Sequence, residues 1–185
     1  FDGTCVTHEY PKVGRDVGAV PVLKKLVEKG HKNIAYISGV SSVVSKDRQA
    51  GYEKAMAECG LTKYINVIKA PTDDETAGYE ATKTLLSAKN APTAIACFND
   101  LIAVGAQSAI NESKSDISIV GYDNTYLSGL SQIDLTTIDP GNREIADISA
   151  NLIMGEKIDN KQLFLSKPKL IIRSSSRKLK KSKDK

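Results

Sequence analysis

Apolar and polar positions along the chain fall into two alternating patterns. Short apolar runs occur at 34–38 (IAYIS), 66–70 (NVIKA), 93–98 (TAIACF) and 117–120 (ISIV), each bounded by polar residues or glycine. Runs of that length and β-rich composition predict strands. Between them lie segments with helical spacing. In 16–28, Val17, Val20, Leu23, Leu26 and Val27 share one face, with Lys24, Lys25 and Glu28 off it and Gly30 as the stop signal. Pro21 falls near the start of this helix, where a missing N–H costs least. A polar loop over 41–47 precedes a second helix at 46–58, closed by Gly60. Asp73, Asp74, Glu75 and Thr76 open a third, running to about residue 86, and a fourth covers 101–112. Pro140 and Asn142 mark the start of a fifth at 143–154, whose stripe is Ile145, Ile148, Leu152 and Ile153. Shorter strands are expected at 135–138, 163–165 and 170–172.

Strands alternating with helices of about a dozen residues predict an α/β fold with a doubly wound, mostly parallel sheet and helices on both faces. The centre of the pattern is 92–124, a βαβ unit with polar residues where each strand ends. Ligands of open parallel sheets collect at the carboxyl ends of the strands. Asn99 and Asp123 occupy two such ends, so a site is expected there.

Composition narrows the setting. The chain of 185 residues is 41% hydrophobic, with no apolar run near bilayer length and no signal peptide at its start, so a cytoplasmic protein with no membrane partner is expected. Cys5, Cys59 and Cys97 are odd in number, widely spaced and without a CxxC pair, which fits reduced thiols rather than a disulfide framework or metal site. Of the 26 basic and 22 acidic residues, six and one fall in the terminal RKLKKSKDK (177–185). The rest is within one charge of neutral, which gives no support for a nucleic-acid face on the body. The basic segment itself is expected to be a solvated, disordered tail.

Catalytic constellations are poor. There are two histidines, His8 in an irregular entry segment and His31 just after the Gly30 stop, where it is expected to cap the preceding helix. No GxSxG elbow, HExxH pair, GxxxxGK[ST] loop or dinucleotide-type glycine turn occurs. No enzyme, cofactor or metal is therefore expected. The polar strand ends carry the better signal. Arg48 offers a rigid fork of donors, Asn99 a donor and an acceptor, and Asp123 two acceptor oxygens. Together they suit a polyol. Equally, Asn99 or Asp100 would cap the helix beginning at Leu101, and Asp123 would brace a turn.

The segments GHKNIAYISG (30–39), SKDRQAGYEKA (45–55), PTAIACFNDLIAVGA (92–106), DISIVGYDN (116–124), LTTIDP (135–140) and KPKLIIRSSS (167–176) follow one another in an order that resembles the effector-binding core of LacI/GalR-type (lactose-repressor-like) bacterial transcription regulators. The resemblance covers roughly residues 14–176. It implies a type I periplasmic-binding-protein-like fold, mainly its C-terminal lobe, in which a small, often sugar-like effector binds between two lobes and changes operator affinity. Residue by residue, Arg48 matches the arginine of S-x-x-R-x-x-G-[YFW], with Ser45 in the same motif. Asn99 matches the asparagine of N-D-x-x-A-x-G, and Asp123 the first acid of G-Y-D-[DN].

The implied organisation is an entry or hinge segment at 1–13, the C-terminal lobe at 14–138, and a returning helix and strand of the N-terminal lobe at 139–165. A last C-terminal-lobe strand at 166–176 and the basic tail at 177–185 complete it. The helix-turn-helix domain and most of the N-terminal lobe are absent from this chain, so operator DNA would be contacted only through that missing domain. The helices at 75–86 and 101–112 are candidates for a homodimer face, and the stripe of the returning helix would dock onto another molecule. Two departures stand out: Pro71-Thr72-Asp73-Asp74 replaces a stacking aromatic, and Gly14-Arg15-Asp16 displaces a ligand-contacting acid by two residues. Alternatives are an extracytoplasmic solute-binding protein of the same fold, or a regulator that answers to a protein corepressor.

Overall fold

The computed structural model describes residues 15–155 and 168–180. The entry segment at 1–13, with Cys5 and His8, the strand expected at 163–165 and the final five residues lie outside them. The order of elements is α1 (Arg15–Glu28), β1 (Ile34–Ser38), α2 (Val43–Glu58), β2 (Asn66–Lys69), α3 (Glu75–Leu86), β3 (Ala94–Cys97), α4 (Asp100–Glu112), β4 (Ser118–Val120), β5 (Thr137–Asp139), α5 (Asn142–Ile153) and β6 (Lys169–Ile171). Single 3₁₀ turns at Thr62–Tyr64 and Tyr126–Gly129 complete it.

Strands β2-β1-β3-β4 form one parallel sheet in that spatial order. The chain steps outward from β1 to β2, then back across β1 to β3 and β4. With right-handed crossovers this reversal sends α2 to one face and α3 and α4 to the other. α1 joins α2 by packing against it, and α3 packs on α4. β1 is fully buried, as the continuous run IAYIS predicts for a strand covered on both sides. Leu23, Leu26, Tyr52 and Met56 cover one face; Leu85, Ile102, Ala103 and Ala106 cover the other.

Two glycines set the α3–α4 spacing. A Cβ on Gly105 would lie 1.8 Å from the Glu75 carbonyl oxygen, and one on Gly78 2.1 Å from that of Ile102. The two backbones touch where no side chain fits.

β5 pairs antiparallel with β6 and also prolongs the main sheet. Val120 bridges Thr136, Gly121 N donates to Thr136 O at 2.9 Å, and Asp123 N donates to Ile138 O at 2.8 Å. The strand expected at 135–138 begins two residues later and ends one later, at Thr137–Asp139. α2 begins at Val43 rather than at 46, because Ser42 caps it: its Oγ accepts from Ser45 N at 3.0 Å. Pro21 sits well inside α1 rather than near its start.

Residues 172–180 pack onto the domain, against the expectation of a solvated tail from 177. Ile119 N donates to Ser175 O, and Ser175 Oγ returns a bond to Ile119 O at 2.7 Å. Arg177 N donates to Ser118 Oγ, Leu179 N to Lys29 O, and Arg177 and Lys180 both pair with Asp116. His31 explains part of this. It is 2% exposed, with Nδ1 3.0 Å from Thr93 Oγ1 and Nε2 3.0 Å from Arg177 O. The ring thus fastens the C-terminal segment instead of capping α1, whose end is closed by the backbone of Gly30 (φ +99°) and His31.

α5 forms as expected, but Ile145 is exposed and Ile153 is 85% exposed.

Candidate functional site

In a parallel sheet, the amino ends of the following helices gather at the carboxyl edge. Here they are α2 behind Ser42, α3 behind Asp74 and α4 behind Asn99, each cap accepting from the first turn of its helix. The winding reverses between β1 and β3, and ligand crevices open at such a point. Arg48 reaches this crevice from the second turn of α2.

Arg48 is the organising group. Its Nη1 donates to Phe98 O at 2.6 Å, at the end of β3, and its Nη2 to Asp123 Oδ1 at 2.8 Å, beyond β4. The guanidinium plane lies 3.7 Å over the Tyr122 ring and 4.7 Å from that of Phe98. One side chain therefore joins α2, β3 and the loop after β4. The arginine side chain is 13% exposed and the aspartate 32%. Burial pushes the Asp123 carboxyl above its usual value, while Arg48 pulls the other way.

Asp123 is held in unusual backbone geometry, with φ at +110°, and Asn124 follows at +48°. Consecutive left-handed residues without glycine cost of order 1–3 kcal/mol each and persist only where the surroundings hold them. The brace is visible. Asn142 Nδ2 donates to Asp123 O at 2.8 Å, and Asn124 bonds Asp139 Oδ2 and receives Arg173 Nη2.

The other expected residues take supporting positions. Asn99 caps α4, Oδ1 accepting from Ile102 N at 2.8 Å, while its Nδ2 donates to Asp73 O at 3.2 Å. Both ends of its amide are engaged, so the capping alternative describes what it does here. Ser45 is buried, its hydroxyl donating to Gly39 O at 3.3 Å. Arg48, Asn99 and Asp123 come together at one edge, and Ser45 lies beneath it.

Three further residues at this edge, Asp73, Asp100 and Arg173, were not among the expected ligand contacts. Asp73 accepts Val40 N at 2.7 Å, tying the loop after β2 to the loop after β1. Asp100 is fully buried and takes Thr125 N, Thr125 Oγ1 and Thr137 Oγ1 at 2.7, 3.0 and 2.6 Å. Burial raises its carboxyl too, against those hydrogen bonds. Arg173, just after β6, donates to Leu135 O, Ser128 Oγ and Asn124 Oδ1, pinning the same loop. Their sequence signals were the acidic helix start at 73–76, the Asn-Asp pair and the arginine in KPKLIIRSSS. Val40 and Val43 add an exposed apolar rim.

Among the described residues there is no cluster of three metal-capable side chains, and no helix is long and apolar enough to cross a membrane. What the edge can do is bind: acceptor oxygens, a fixed cation and an apolar border around a crevice.

Residues 23–176 match the model of the periplasmic binding protein-like domain. The HTH-type transcriptional repressor PurR of Actinobacillus pleuropneumoniae is 36% identical over 174 residues, spanning 89% of this chain and 52% of that protein. That of Pasteurella multocida is 34% identical over 166 residues, spanning 85% and 50%. A LacI-family transcriptional regulatory protein from Corynebacterium glutamicum has a solved structure that superposes with a TM-score of 0.76 at 30% identity, covering 89% of this chain and 67% of that one. This chain belongs to the LacI family. A LacI regulator from Rhodococcus gives a TM-score of 0.78 at 33% identity, over 89% and 63%. The family match confirms the periplasmic-binding-protein-like fold and its parallel sheet. The chain spans about half the length of the curated relatives it matches, and the matched region is the effector-binding domain of such repressors.

Proposed function

We propose that this chain senses a small effector for a LacI-type repressor and passes the binding event to operator DNA through a domain outside it. The observation that carries this is the Arg48 clamp. It joins three elements at the switch point of the sheet and holds the carboxylate of Asp123, a residue with strained backbone. Asp123 is the primary effector contact, accepting hydroxyls of a sugar or sugar derivative. Arg48 orients it. Asn99 and Ser45 fix the walls and contribute contacts only at their margins. The apolar rim of Val40 and Val43 covers an apolar ligand face, a role the acidic loop at 71–74 does not fill.

Regulation is then linkage. An effector shifts the protein between two arrangements by no more than its differential affinity for them. The protein works in the cytoplasm as a homodimer, with α3 and α4 as the dimer face; their backbone-to-backbone packing supports that by making one rigid surface. The test is a thermal-shift screen of sugars and related small molecules on the complete protein. The best ligand should lose its midpoint shift in Asp123→Ala. An unchanged shift would remove Asp123 from the site.

A further inference from the structure

Behind the Arg48 clamp the packing of α1 against the sheet leaves a cavity of about 20 Å³. Its walls include Val22 and Leu23 of α1, Val120 of β4 and Ile138 of β5, and Tyr36 and Arg48 line it beside Tyr52 and Tyr122. Tyr36 is 3% exposed, and its hydroxyl is one of two buried polar groups here without a hydrogen-bond partner. The other is Arg48 Nε. Both hydrogen bonds of the Arg48 fork leave from its Nη atoms, which leaves Nε–H for a third partner.

An apolar cavity of this size stays dry, but two residues of its lining that carry unpartnered polar atoms change the balance. A water needs roughly 10–15 Å³ and two to four polar partners. A buried donor without a partner costs about 1–3 kcal/mol, and so does a buried hydroxyl. One water satisfies both at once: it accepts from Arg48 Nε–H and exchanges a hydrogen bond with Tyr36 Oη, which both donates and accepts.

We infer that this cavity is a single-water site, and that Tyr36 positions Arg48 through that water. The bridge holds the guanidinium by its third edge. Tyr36 itself is held against rotation by stacking on Tyr52, with ring centroids 5.1 Å apart and planes 17° from parallel. Tyr52 Oη is in turn fixed to Ile34 O at 2.8 Å. A chain of contacts thus runs from the Tyr36–Tyr52 stack, through one water, to the arginine that orients Asp123. Its bearing on effector binding rests on the function proposed above; the water site does not.

The test is a crystal structure of the chain at a resolution that places single waters, with Tyr36→Phe beside it. The expected result is one water peak within roughly 2.7–3.2 Å of both Tyr36 Oη and Arg48 Nε, lost in Tyr36→Phe. No peak there, or a direct Oη–Nε contact, would overturn the inference. Solution measurements decide it independently. A bridged hydroxyl makes Tyr36→Phe less stable, so its Tm should fall. A Tm that is unchanged or raised would show the hydroxyl to be an orphan whose removal costs nothing. In nitrogen-resolved NMR spectra the Arg48 Nε–H should exchange slowly in the native chain and quickly in Tyr36→Phe. Equal exchange in both would leave Tyr36 as packing alone. All three readouts are taken without effector, so their failure is distinct from failure of the effector assignment.

Discussion

Replacing Arg48 by methionine keeps most of the apolar stem and removes the fork. Two hydrogen bonds go with it, to Phe98 O and to Asp123 Oδ1, along with the stack on Tyr122. A hydrogen bond to a charged group contributes about 1.5–3 kcal/mol and a cation over an aromatic ring about 1. Screening reduces the ionic part, because the Asp123 side chain keeps 32% of its surface in water. The expected net loss is about 2–4 kcal/mol. Much of it would come from leaving a desolvated carboxylate without its cation. The clamp therefore predicts a specific non-additivity. Asp123→Asn removes the charge, so in the Arg48→Met background it should cost little or even restore stability. A double-mutant cycle by urea unfolding should give a coupling of at least about 1 kcal/mol. A single-mutant cost below about 0.5 kcal/mol, the range of an ordinary surface change, would refute the clamp, and so would strict additivity.

Other perturbations probe separate parts of the fold. Gly105→Ala would push a Cβ into the Glu75 carbonyl, and overpacking of this kind costs about 1–3 kcal/mol; a lower midpoint in urea checks it, and an unchanged one would contradict the α3–α4 contact. The Asp123 carboxyl binds its proton more tightly in the folded chain than in the unfolded one. Its contribution is thus full below the unfolded value, near 4, and is lost as pH rises through the folded value. Asp123→Asn should flatten stability over that window, and an unaltered pH profile would show that the carboxyl is not held up by burial. His31→Leu removes the bond to Arg177 O, so the Leu179 amide, bonded to Lys29 O, should exchange faster by hydrogen exchange; undiminished protection would show that other contacts suffice to hold the segment. Ser42→Ala should cost about 1 kcal/mol as loss of a helix cap, measured by thermal unfolding.

Where one side of each element was continuous in hydrophobicity, the fold was legible. β1 was placed to the residue because both faces are covered and every position is apolar or small. The start of α2 was not, because Val43 lies in a stretch that reads as polar loop and the cap at Ser42 depends on a backbone turn. β5 begins two residues late because Thr136 makes an isolated bridge to Val120 and only Thr137–Asp139 pair with β6, although Leu135 and Thr136 are buried like strand residues. The site was half legible. Asn99 offered two meanings, ligand or cap, and the hydrogen bond from Ile102 N shows the cap, which residue type alone could not. Asp100, Ser175 and Ser176 are buried polar residues whose partners lie far along the chain, so no periodicity marks them. The same holds for Arg177 to Lys180: a run of cations predicts solvation, and partners brought near by the sheet, Asp116, His31, Ser118 and Lys29, make it dock.

The most direct test of the effector assignment is titration calorimetry on the complete protein with the best ligand from the screen. Native protein should bind it, while Asp123→Ala, checked to be folded by circular dichroism, should bind at least about tenfold more weakly, or about 1.4 kcal/mol. Equal affinity in the two proteins would contradict the placement of the site at this edge of the sheet.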